Sequence, residues 1–126
     1  MKRFLWVFGS LAVLFLLQSC FTNNEPSDSG SDDDKGAVKG SYIYGNEVSS
    51  FQPCGLETEL WVTGNESLMT KLENDYMAMV NKPYQQVFVS FKGHKLAKAK
   101  DGFAADYDGQ FRVTKVITMQ KENICL

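Results

Sequence analysis

The hydrophobic pattern of this chain predicts a mainly β domain: a small five-stranded barrel with one α-helix between its third and fourth strands. Three observations carry that expectation. From Val38 onward the chain reads as short alternating runs separated by turn residues. The stretch from about Glu66 to Asn81 instead repeats its apolar residues at helical spacing. Three β segments precede that stretch and two follow it.

Taken in order, Ser41-Tyr42-Ile43-Tyr44 alternates and stops at Gly45-Asn46, a strand and its turn. Phe51-Gln52-Pro53-Cys54-Gly55 reads as a further turn. Glu57 to Thr63 alternates again, with Leu60 and Val62 on one face and Trp61 on the other, until Gly64-Asn65 closes it. In the helix, Leu68, Leu72, Tyr76, Met79 and Val80 fall on one stripe. Asn65 or Ser67 caps its start, and Asn81-Lys82-Pro83 stops it. Gln86 to Lys92 is the clearest strand, turning Val87, Val89 and Phe91 one way. A basic stretch, His94 to Lys100, follows, then turns at Asp101-Gly102 and Asp108-Gly109. The last strand, Phe111 to Gln120, breaks phase at Lys115. A bulge near Thr114 would restore it and bring Val116 inward. This element order is that of the OB-fold.

The residues before Val38 give the address. Lys2 and Arg3 precede an uncharged run, Phe4 to Leu17, which as a helix reaches about 21 Å against the roughly 30 Å of a hydrocarbon core. The run ends at Leu17-Gln18-Ser19-Cys20, which resembles a bacterial lipobox. Residues 1–19 are therefore expected to be a cleaved lipoprotein signal, leaving Cys20 as the lipidated amino terminus and the membrane as a partner through that anchor. Residues 20–37 form a tether in which Glu25, Asp28, Asp32, Asp33 and Asp34 stand against Lys35. Its composition predicts a flexible coil spanning about 20–25 Å. Phe21, rather than an acid, after the cysteine points to the outer membrane, facing periplasm or surface. Residues 38–126 carry ten charges of each sign, and a neutral domain lacks the clustered positive field that nucleic acid requires.

At this point a resemblance can be stated. Gly40-Ser41-Tyr42-Ile43-Tyr44, the turn at Phe51 to Gly55, the helix containing Tyr76, Val89-Ser90-Phe91-Lys92-Gly93 and a cysteine near the end resemble one known module. It is the C-terminal OB domain of the NlpE-type envelope lipoproteins, associated with copper homeostasis, adhesion and envelope-stress signalling. The likeness spans residues 38–126. The family's N-terminal domain with its Cys-x-x-Cys pair has no room in these 126 residues, so roles resting on that pair are not carried over.

With Cys20 lipidated, Cys54 and Cys125 remain in an oxidising compartment, where an even pair in a small domain means a structural disulfide before a redox-active one. Metal binding has weak support. His94 stands among lysines, and the thioethers Met69, Met77, Met79 and Met119 do not converge, since helix residues two apart face different ways. Asp101, Asp106 and Asp108 lack the spacing of a calcium loop. No metal site and no cofactor are expected.

One histidine, no Gly-x-Ser-x-Gly and no free reactive thiol leave little for catalysis; Glu57 and Glu59 on one strand face are the nearest to a carboxylate pair. The expectation is a non-enzymatic interaction module. Its candidate ligand face joins the aromatics Tyr42, Tyr44 and Trp61, with Tyr107, to the basic strip Lys92, His94, Lys95, Lys98 and Lys100. Cations beside aromatic rings suit an envelope protein or an anionic glycan. The alternative is a periplasmic inhibitor of a glycan hydrolase such as lysozyme.

Overall fold

The computed structural model describes residues 34–122, 124 and 125. The leader, Cys20 and the tether through Asp33 lie outside the described residues.

Five strands and one helix follow each other as β1 (Val38–Gly45), β2 (Val48–Pro53), β3 (Leu60–Thr63), α1 (Glu66–Met79), β4 (Val87–Leu96) and β5 (Gly109–Gln120). The strands close a barrel in the order β1-β2-β3-β5-β4. Every neighbouring pair is antiparallel except β3 with β5, which is parallel. Closure comes from β1 meeting β4, from Val38 opposite Phe91 to Tyr42 opposite Val87, and it leaves those backbone groups no open edge.

The interior is aromatic. Phe51 stands 5.0 Å from Phe91 and 5.1 Å from Phe111 between ring centres. Tyr42 meets Tyr76 edge-on at 5.6 Å and Phe91 at 5.8 Å. Such tilted and edge-on pairs add to the area that each ring buries. The helix closes one side of this core with Leu72 and Tyr76 fully buried and Leu68, Met69, Met79 and Val80 packed around them. Its start is capped by Asn65, whose Oδ1 accepts the Leu68 N–H at 2.8 Å, the bond an N-cap makes to the third helical residue.

Local pattern and structure part at four places. Phe51 to Pro53 is not a turn but the end of β2, paired with Gly40–Tyr42 of β1, and the chain turns only at Cys54–Gly55. Proline is tolerated there because the Cys54 N–H serves β1, so the Pro53 nitrogen faces the β3 side, where pairing has ended at Phe51. The strand expected from Glu57 begins at Leu60, so Glu57 and Glu59 share no strand face. The loop before β3 is instead held by a two-way clamp: the Glu59 N–H donates to Asp108 Oδ2 at 2.9 Å, and the Asp108 N–H donates to the Glu59 carbonyl at 3.0 Å. The basic stretch does not follow β4 but is partly inside it, through Leu96. Tyr42, expected on a ligand face, has no exposed surface, and its hydroxyl lies 3.5 Å from Ser49 Oγ in the interior.

The bulge stands where the phase break put it. Lys92 opposes Lys115 and Gly93 opposes Val113, so Thr114 is skipped, and its hydroxyl donates to the Lys92 carbonyl at 3.2 Å. The backbones come so close here that a Cβ on Gly93 would lie 2.0 Å from the Arg112 carbonyl oxygen. Only glycine fits that crossing.

Candidate functional site

An open groove of about 1050 Å³ lies against the barrel at the far end of β1. One wall is the helix, with Met69, Glu73, Tyr76 and Met77; the other is the β1–β2 turn and the segment Asn81–Tyr84. Trp61 and Tyr44 reach it from the barrel, and Phe103, at the start of a short 3-10 turn in the β4–β5 loop, stands on the rim.

Each residue arrives by a local cause. Strand alternation buries Leu60 and Val62 and leaves Trp61 half-buried on the outer face. The Trp61 ring is steadied by Tyr107, edge-on at 5.3 Å. Burial raises the Tyr107 hydroxyl above the usual phenol range. Tyr44 meets Tyr76 edge-on at 6.0 Å. Its hydroxyl faces the Glu73 carboxylate, which adds to the effect of burial in holding that phenol protonated. Tyr76 donates its hydroxyl to the Gln85 carbonyl at 2.6 Å, and Gln85 Oε1 accepts the Asn81 N–H at 3.2 Å. Those two bonds shape the segment that carries Tyr84.

The rim holds the strain of the fold. Glu47, at the tip of the β1–β2 turn, has φ 61°, and Tyr84 has φ 58°. They are the non-glycine residues in the left-handed region among those described, and both line the groove. A bulky residue there costs about 1–3 kcal/mol and is kept only where the surroundings hold it. Phe103, Met77 and Tyr84 are 52%, 60% and 50% exposed beside it. The groove is thus apolar and aromatic, with carboxylates of Glu47 and Glu73 against Lys82.

Of the sequence-derived ligand residues, Tyr44 and Trp61 stand on this groove; Tyr42 is inside the core, and Lys92, Lys95 and Lys98 are not among its lining residues. The aromatics and the basic strip therefore do not make one site. Met69, Met79 and Met119 all pack on the core, and only Met69 and Met77 among the four line the groove. No three His, Cys, Asp or Glu side chains among the described residues are grouped to hold a metal ion. Sequence reasoning missed Glu47, Tyr84 and Phe103, and weighed Met77 only as a metal ligand. A large apolar residue just after Pro83, and another just after Asp101-Gly102, were the available signals.

The β1–β2 turn, the β4–β5 loop and the β2–β3 wall are the parts by which OB-folds take up polymers. A family model described as the NlpE C-terminal OB domain matches residues 33–126. The chain belongs to that family. Comparison with curated proteins and with solved structures finds no match. Membership in the NlpE C-terminal OB family makes this barrel an envelope OB-fold module, and the groove lies on the side that OB-folds in general use for polymers.

Proposed function

We propose that this chain is a non-enzymatic lipoprotein of the bacterial envelope, anchored through Cys20 in the outer membrane, whose NlpE-type OB domain binds a protein partner in the groove. The observation that carries this is the paired strain at Glu47 and Tyr84 around an exposed aromatic rim. Residues held in costly backbone conformations beside a concave apolar surface are preorganised for a ligand. Glu47 and Glu73 favour a segment that offers apolar side chains with a basic group. The domain's work then belongs to envelope-stress, adhesion or copper-homeostasis systems, as the family likeness suggests.

A second reading follows from the same carboxylates: an inhibitor of a basic glycan hydrolase such as lysozyme, engaged by the groove. A photo-crosslinking residue in place of Tyr84, followed in native envelopes, tests the first. A single strong protein adduct that is lost with Phe103→Ser and Met77→Ser supports the interaction module; adducts spread over abundant proteins overturn it. Inhibition of lysozyme at stoichiometric concentration would select the second.

A further inference from the structure

The outer wall of β4 and β5 carries a charge pattern that neither the core nor the groove uses. Register sets Lys92 opposite Lys115 and His94 opposite Arg112. Phe91 and Val113 point into the core, so alternation turns these four outward. Lys92 and Lys115 thus put like charges directly opposite each other, a pairing that disfavours a sheet unless something else engages them. Lys98, exposed in the loop beyond β4, extends the charge past the strand's end, whereas Lys95 pairs with the core residue Phe111 and so lies on the other face. None of Lys92, Lys95, Lys98 and Arg112 forms an ion pair among the described residues.

Position adds a second observation. β1 begins at Val38 opposite Phe91, so β4 runs past it, and the stretch from Lys92 to Leu96 meets β5 on one side and no β1 residue on the other. The eighteen residues from Cys20 to Ala37 therefore join the barrel at the corner where the basic wall starts. A flexible chain of the fourteen residues before the Asp34–Ala37 turn would span about 20 Å, which would hold this corner near the surface that carries the anchor.

We propose that the β4–β5 wall docks on the anionic phospholipid headgroups of the membrane to which the chain is tethered. This rests on the proposed anchoring through Cys20 but not on the groove. An outer barrel wall with several cations suits a plane of phosphates, and each cation close to such a leaflet strengthens partition roughly fivefold. The docked wall leaves the groove, built from other elements, open to a partner.

Residues 20–126 carrying Cys20→Ser, so that no acyl chain contributes, are co-sedimented with vesicles of phosphatidylcholine alone or mixed with phosphatidylglycerol. The core is built entirely from residues of the barrel and its helix. Expected is binding to the mixed vesicles that weakens as added salt shortens the screening length. Lys92→Gln with Arg112→Gln should weaken it about 25-fold, with Tm little changed because both side chains lie on the outer wall. Equal binding to both vesicles, or an undiminished double variant, overturns the proposal. So does binding that appears only after Asp32, Asp33 and Asp34 are changed to Asn, which would make the chain's own acidic segment the occupant. Binding to a polyanionic glycan without binding to vesicles also overturns it.

Discussion

The ring of Tyr84 lies on the bare Cα of Gly45: a Cβ at that position would come within 2.4 Å of ring carbon Cε1. The obstacle is a half-exposed side chain rather than backbone, so it can swing away. Gly45→Ala is therefore expected to cost less than about 1 kcal/mol of stability, in the range of ordinary surface changes. It should displace one of the two strained rim residues and weaken partner binding about tenfold. Urea unfolding and crosslinking yield at Phe103 check the two halves. A variant that loses stability and keeps its partner would refute the role given to Tyr84.

Cys54 and Cys125 are bonded with their Cα atoms 5.0 Å apart, across 71 residues of chain. Cys54 directly follows β2 and its N–H donates to the Lys39 carbonyl at 2.9 Å, so the bond ties the chain's end to the β1–β2 hairpin. Closing a loop of this length stabilises by roughly 4 kcal/mol in the chain-entropy model. Cys54→Ser with Cys125→Ser should lower unfolding stability by about 2–4 kcal/mol, read from the urea midpoint and a slope that rises as the uncrosslinked chain expands. A midpoint that does not move on reduction would show that the closed barrel alone carries the stability.

Burial pushes the Tyr42 hydroxyl far above the ordinary phenol range, and Glu73, Tyr44 and Tyr76 push the same way against the Ser49 hydroxyl. The unfolded chain ionises its tyrosines near pH 10. Above that pH the native state holds more protons than the unfolded state, so stability is fully present below about pH 10 and falls as pH rises beyond it. Tyrosinate absorbance and circular dichroism followed together in alkali should show Tyr42 ionising with unfolding. Titration of every tyrosine while the fold persists would contradict its burial.

Much of the fold was legible because it is written in short periods. Period-2 runs located the strands at Tyr42, Val62 and Val89, and the spacing of Leu68, Leu72 and Tyr76 located the helix. The broken phase at Lys115 located the bulge. β2 was hidden because Pro53, Cys54 and Gly55 carry turn propensity, and only its pairing with β1 makes Phe51 a core residue. The site was half legible: Trp61 and Tyr44 could be named, but not the Glu47, Tyr84 and Phe103 around them.

Alternation, helical spacing, capping residues and cysteine parity depend on near neighbours in the chain, so the residues alone determined the element order and the Cys54–Cys125 pair as the candidate disulfide. Which outward residues stand side by side depends on register across a closed barrel, where partners lie far apart in the chain. Only the folded molecule decided that Tyr42 is buried, that the aromatics at Trp61 and Tyr44 face a groove, and that the basic strip continues through Arg112 and Lys115 on another wall.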